Sequence, residues 1–248
     1  MANSNNIHSI GYDIFAKSLD QLPTAHQTLV NTINQYSYCV AENDAEFKTS
    51  LQNADVLLPD GIAIVAAVKL VDGIQIKKIA GADLHQYSLE KLNQTGGSCF
   101  YLGSSPTTLQ KIKDRVNKEY PNVKVGTFSP PYKSVFTDEE NTEMLTQVNN
   151  FKPDVLFIGM TAPKQEKWAY THKNQLAAQL ICSIGAVFDF YAGTVERPNK
   201  IWINFGLEWL GRLVKEPKRM WKRYIYYGPV FFYHIINQKF KNNAHTKN

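Results

Sequence analysis

The chain reads as an α/β protein: a three-layer core around a mainly parallel sheet, followed by a basic helical appendage. Three features predict this. Short apolar runs alternate with stretches of helical spacing, as in folds that wrap helices over a parallel sheet. Gly, Pro, Ser and Asp gather directly after the apolar runs, where strands of such sheets turn into helices. The charge also changes along the chain: residues 1–196 hold 16 basic and 20 acidic side chains, residues 197–248 hold 11 and 2.

In chain order, residues 20–36 and 43–52 read as helices, 56–58 as a short buried strand and 62–70 as a helix. Residues 98–105 (SCFYLGSS) form a strand closing on Gly103, and Pro106 opens an amphipathic helix in the segment PTTLQKIKDRVNKEY. Residues 122–132 are a strand running into a loop. The helix DEENTEMLTQVNNF that follows starts on acidic residues, which suit the positive end of a helix. Residues 153–160 (PDVLFIGM) are another strand, followed by a helix through TAPKQEKWAYTHKNQ with its cap at Thr161 or Ala162. Residues 178–193 hold a last buried strand with Gly185 at its end. The character changes after Gly193, so the core is expected to span 1–195 and the appendage 196–248.

An apolar content of 44% is ample for a packed core, and 20% charged residues is ordinary. Cys39, Cys99 and Cys182 are odd in number and lack C-x-x-C spacing, so a reducing compartment is expected rather than a disulfide framework or zinc site. The opening MANSNNIHSIGYD has no basic region followed by an apolar one, so no signal peptide is expected.

Ligands of open α/β sheets bind beyond the carboxyl ends of the strands, so the turns there are the places to look for function. In ADVLLPDGIAIVAAVKL a carboxylate, Asp60, sits between two apolar segments. Pro-Asp-Gly is an ordinary turn; it also suits a general base held in a partly dry cleft. Lys164 and Gln165 stand in the first turn of their helix, where a cation opposes the helix dipole. Either a ligand anion or a solvated helix start accounts for that. The turn YLGSSP, with Gly103, resembles a nucleotide-binding turn but lacks G-x-G-x-x-G and G-x-x-x-x-G-K-[ST]. There is no D-x-D and no H-E-x-x-H, so neither a metal nor a cofactor is expected.

In the tail, Arg212, Lys215, Lys218, Arg219, Lys222 and Arg223 are interleaved with Trp209, Leu213, Met220, Trp221 and Tyr224. The aromatic stretch YIYYGPVFFYHII follows. It is shorter than the ~20 residues of a membrane span, and Gly228-Pro229 interrupts it. Trp and Tyr beside Lys and Arg favour a helix lying in an anionic membrane surface over a nucleic-acid patch or a helix packed on the core.

Taken in order, TINQYSYCVAENDAEF, NADVLLPDGI, KKIAGADL, FYLGSSP, FIGMTAPKQEKW, GAVFDFYAGTVERP and GLEWLGRLVKEPKRMWKRY resemble the WecG/TagA/CpsF glycosyltransferases along nearly the whole chain. The resemblance implies a Rossmann-like core of the GT-E type whose C-terminal appendage covers the active site at the membrane. It implies an inverting transferase needing no metal, which moves an N-acetylhexosamine-type sugar from UDP to a GlcNAc on a polyprenyl diphosphate. The place implied is the inner face of the cell membrane, with a dimer or trimer of the core plausible. Donors such as ManNAc, its uronic acid or glucose occur within the family. Asp60 falls on the family's proposed catalytic base, and Thr32 and Asn34 on residues lining the sugar pocket. Gln165 falls on a substrate-binding glutamine, Tyr132 and Asp189 on UDP-contacting positions. Arg212, Arg219 and Lys222 or Arg223 fall on appendage cations near the diphosphates. Lys78 stands where many members have Arg; it offers phosphate a point charge in place of a two-pronged contact. Two other readings are a non-catalytic UDP-sugar-binding or lectin-like module tethered by the tail, and a nucleic-acid-binding protein.

Overall fold

Six parallel strands form the centre of the molecule in the order β4-β3-β8-β7-β5-β6. They are β3 (Thr28–Ile33), β4 (Val56–Pro59), β5 (Ser98–Gly103), β6 (Lys124–Phe128), β7 (Val155–Gly159) and β8 (Leu180–Ser183). A separate antiparallel hairpin, β1 (Asn6–Ser9) and β2 (Tyr12–Phe15), precedes them. The structure is a computed structural model and describes residues 6–23, 26–195, 208–215 and 217–245.

The strands β4 and β7 are buried at every position, as expected where helices cover both faces of a parallel sheet. Alternation then decides which side chain goes where. Val30, Val56, Leu58, Cys99, Tyr101, Phe157 and Cys182 share one face. There they pack with α4 (Gly81–Thr95), α5 (Pro106–Glu119) and α8 (Gly185–Tyr191). Leu29, Phe100, Leu102, Leu156, Ile158 and Ile181 face the other way, toward α6 (Asp138–Phe151) and α7 (Lys164–His172). Ile33 and Leu57 continue that second face toward the β4 edge, under α1 (Gln35–Ala41), α2 (Ala45–Gln52) and α3 (Ile62–Asp72). Cys39, Cys99 and Cys182 are all buried free thiols.

Several elements form where the residues predict. Ser105 caps α5 through the Thr108 amide with Pro106 behind it, and Thr137 and Glu140 make a reciprocal cap at the acidic start of α6. Other expectations are corrected. Residues 20–36 are not a helix: they hold β3, an interior strand, and the start of α1. Thr28, Val30, Thr32 and Ile33 are β-branched, and that stiffness favours the pleated strand. The 15-residue helix α4 was not foreseen; the Asp83 carboxylate holds its start by accepting from the Ala80 amide (2.8 Å). The last strand stops at Ser183, and Gly185 begins α8 rather than ending a strand. A Cβ at Gly185 would overlap the Met160 carbonyl and the Gln165 side-chain oxygen, so only glycine lets that helix start against β7.

The tail contains α9 (Glu208–Lys215), α10 (Pro217–Trp221), a π-helical turn over Lys222–Tyr226 and α11 (Tyr227–His245). Phe231 and Ile235 of α11 are fully buried in one cluster with Tyr38 and Cys39 of α1 and Ile64, Ala67 and Val68 of α3. Tyr38 meets Phe231 edge-on at 5.1 Å. Among the described residues no helix is long and apolar enough to cross a membrane.

Candidate active site

The carboxyl ends of β4, β3, β8, β7 and β5 bring Asp60, Asn34, Gly185, Gln165 and Gly103 to one edge of the sheet. At one side of this edge stands Asp60, half-buried directly after β4. Its amide donates to the Ile33 carbonyl (2.9 Å), so the β3–β4 ladder runs on to the backbone of Asp60. Gly61, the cap of α3, has φ +127, which L side chains rarely adopt; a Cβ there would only touch Gln35 Oε1 (3.6 Å) and Asn34 Cβ (3.8 Å), so the backbone angle is what calls for glycine. The Ile79 amide donates to the Pro59 carbonyl (3.0 Å), which ties half-buried Lys78 to the same strand end. Thr32, half-buried, pairs with Leu58 across the ladder. Asn34 caps α1: its Oδ1 accepts from the Tyr36 and Ser37 amides (both 3.0 Å), while Ser37 Oγ accepts from the Asn34 amide (2.8 Å). That places Thr32, Asn34, Asp60 and Lys78 together.

Further along the edge, Gln165 is buried and committed inside the protein. Its Oε1 accepts from the amides of Met160 (3.2 Å) and Gly185 (3.1 Å), clamping the ends of β7 and α8. Its Nε2 donates to Glu166 Oε1 (2.8 Å). Glu166, which the sequence reading passed over, is buried as well, and among the described residues its Oε2 has no hydrogen-bond partner. Burial pushes this carboxyl up to about 7, against the opposing pull of the Gln165 hydrogen bond and the positive charge of Arg223. The signal lay beside Gln165 in the motif APKQE. Nothing in a linear reading, however, says which side of the first helical turn faces inward.

Beyond these lies the junction of β5 and β7. Connections leave it in opposite directions, toward β6 from one strand and toward β8 from the other, which is the ligand-binding position of open α/β sheets. Gly103 has φ +113, and a Cβ there would overlap the Gly159 carbonyl oxygen, so the turn needs glycine.

Other expected residues are placed differently. The cap of α7 is Pro163, not Thr161 or Ala162: the Thr161 carbonyl accepts from the Lys164 amide (3.0 Å) in a turn ahead of the helix. Lys164 Nζ donates to the Lys133 carbonyl (2.6 Å) and lies 4.5 Å from the Phe136 ring, so the loop beside the helix holds that cation. Tyr132, 97% exposed, is on the same loop with its ring 5.9 Å from Lys164 Nζ. Asp189 is half-buried in α8, where its carbonyl accepts from the Thr194 and Val195 amides. Lys222 is exposed, and the guanidinium of Arg223 covers the Tyr36 ring. The backbones of Arg212 and Arg219 fall in α9 and α10; their side chains lie outside the described residues. Among the described residues, no three His, Cys, Asp or Glu side chains gather as a metal site would require.

The sequence matches the Glycosyl transferase WecG/TagA/CpsF family over residues 4–245. The chain belongs to this family. As a WecG/TagA/CpsF member it is a glycosyltransferase. It is similar to the N-acetylglucosaminyldiphosphoundecaprenol N-acetyl-beta-D-mannosaminyltransferase of Bacillus subtilis (strain 168). Identity is 27% over 195 residues, covering 79% of this chain and 74% of that protein. The enzyme of the same name from Bacillus spizizenii is 28% identical over 183 residues, covering 74% of this chain and 69% of the relative.

Proposed function

We propose that this glycosyltransferase moves an N-acetylmannosamine-type sugar from UDP to the GlcNAc of a polyprenyl-diphosphate acceptor, inverting the anomeric centre without a metal, at the inner face of the cell membrane. The observation that carries the mechanism is the position of Asp60. It is a half-buried carboxylate at a strand end, beside the Asn34 cap and the loop of Lys78. The names of the two relatives support the donor sugar and the acceptor.

A hydroxyl oxygen of the acceptor GlcNAc attacks the anomeric carbon from the side opposite UDP. The new C–O bond forms as the bond to UDP breaks, and Asp60 takes the hydroxyl proton. General-base help of this kind is worth roughly 10²–10⁴-fold. The UDP anion leaves toward positive charge: Lys78 on the core, and Arg212, Arg219, Lys222 and Arg223 from the appendage. β4 and β5 are four strand spacings apart, about 19 Å. Only an extended substrate lying along the edge touches both Asp60 and the Gly103 turn. Residues 1–195 serve as the catalytic core, and 196–248 hold it on anionic lipid and complete the site there.

A donor screen with a short-chain polyprenyl-diphosphate-GlcNAc acceptor tests this. UDP release with UDP-ManNAc should require acceptor and persist in EDTA, and the product should carry the inverted linkage. Release that ignores the acceptor, or that stops in EDTA, overturns it.

A further inference from the structure

Helix α3, IAIVAAVKLVD, has almost no polar side. Its inner residues Ile64, Ala67 and Val68 are buried. The outer face carries Ile62 (51% exposed), Ala66, Lys69 and Leu70 (41% exposed), and Ile74 (40% exposed) extends it past Gly73. These recur at helical spacing and make a stripe roughly 18 Å long. A helix apolar nearly all round is ordinarily buried or in lipid, yet this one has an open side whose charges are Lys69 and, at the last position of the helix, Asp72.

Three observations say what covers it. The stripe begins two residues after Asp60, and the loop behind it returns to the same strand end through the Ile79–Pro59 hydrogen bond. The near end of the stripe thus lies at the candidate base, and the chain leaving its far end returns there. Next, α11 shares the buried cluster with α3 and exposes Phe232, Tyr233, Ile236 and Phe240, so the two helices are neighbours with apolar residues left uncovered. Finally, the charges in and beside the stripe are Lys69, Lys77 and Asp72, all exposed, together with Lys78; Asp72 accepts from Ser9 Oγ, and the sum is positive.

We infer that the outer face of α3 is a second membrane-contact surface, seated with α11 on an anionic bilayer, so that the Asp60 cleft opens at the lipid surface. This rests on the reading that the acceptor is lipid-linked. A second copy of the chain fits the face less well. Stable interfaces bury about 1,600 Å², which three large side chains on one helix face do not supply. The excess of Lys69, Lys77 and Lys78 over Asp72 favours anionic lipid, which attracts basic side chains at about 1 kcal/mol per Lys.

All three native cysteines are buried, so a thiol placed on the surface takes label selectively. In the full chain, Leu70→Cys and Ile74→Cys would carry an environment-sensitive fluorophore, with Glu143→Cys at an exposed position of α6 as reference. Vesicles of phosphatidylglycerol and phosphatidylcholine should shift the 70 and 74 labels to the blue and leave 143 unchanged. Leu70→Ser combined with Ile74→Ser should weaken co-sedimentation of the unlabelled chain roughly tenfold or more. Vesicle binding with unshifted labels at 70 and 74 would overturn the role of α3 and leave the membrane reading standing. No binding to anionic vesicles would overturn both. A blue shift that grows with protein concentration without vesicles would assign the face to self-association instead.

Discussion

The guanidinium carbon of Arg223 lies 4.5 Å from the ring centre of Tyr36. Tyr36 stands in the first turn of α1, two residues past the Asn34 cap, and also meets Tyr227 edge-on at 5.2 Å. The contact therefore fastens the π-helical turn of the tail beside the candidate active site. A cation over an aromatic face contributes about 0.5–2 kcal/mol, depending on desolvation. Tyr36→Phe keeps the ring and should stay near wild-type activity. Tyr36→Leu and Arg223→Ala should each raise KM for the nucleotide sugar by about threefold to thirtyfold. Steady-state kinetics on the three variants checks this, and a Tyr36→Phe as impaired as Tyr36→Leu would show that the hydroxyl matters rather than the ring.

Asp60→Asn keeps the shape of the turn, and its backbone donor to Ile33 is untouched. What it removes is proton acceptance. Turnover should fall by roughly 10²–10⁴-fold, while the melting temperature and UDP affinity stay close to wild type. Calorimetry and single-turnover rates separate these effects; a variant with wild-type turnover would take Asp60 out of the chemistry.

Signals made by one residue acting locally were legible in the sequence. Ser105-Pro106 starts α5 and the acidic run starts α6, because caps and dipoles depend on neighbours a turn away. The parallel sheet followed from the rhythm of apolar runs. What was missed depends on contacts far along the chain. Residues 28–33 fall within an expected helix although their β-branched residues favour a strand; the pairing with β4 and β8 that fixes them as an interior strand lies far along the chain. Gln165 was singled out as a ligand contact, but its side chain bridges two backbone amides, one of them 20 residues away. Glu166 went unremarked because its burial is set by the packing of α7. Asp60 was visible as a turn aspartate; that Lys78 shares its strand end depends on the Ile79–Pro59 bond, which spacing does not announce.

Burial holds the Glu166 carboxyl near 7 in the folded protein. An unfolded chain releases that proton in the ordinary carboxylate range, about 4.3. The folded state therefore binds more protons between these values, and stability falls as pH rises through the window. Nothing is lost below about 4, and the cost is complete above about 7, where it reaches roughly 4 kcal/mol. Glu166→Gln removes the titration. Denaturant unfolding at pH 5 and pH 8 should show the variant gaining on wild type by about 2–3 kcal/mol as pH rises between them. Because Arg223 opposes the upward shift, Arg223→Ala should move the Glu166 titration higher still.

Gly103 and Gly73 both have positive φ, but their surroundings differ. At Gly73, which ends α3, nothing lies within 4 Å of where a Cβ would be, so Gly73→Ala meets only the conformational penalty of about 1–2 kcal/mol. At Gly103 the added carbon overlaps the carbonyl oxygen of Gly159, a backbone atom held in the β5–β7 ladder. Strand ends must part to admit it. Gly103→Ala should therefore cost more than Gly73→Ala, by about 1–3 kcal/mol beyond the shared penalty, read as the difference in denaturation midpoint at constant slope. The forced separation falls where the connections of β5 and β7 diverge. The folded fraction of Gly103→Ala should accordingly bind UDP more weakly, while that of Gly73→Ala binds like wild type. Equal losses of stability in the two variants would mean that the β5–β7 junction yields easily, and that the close approach of these strand ends is not what requires glycine there.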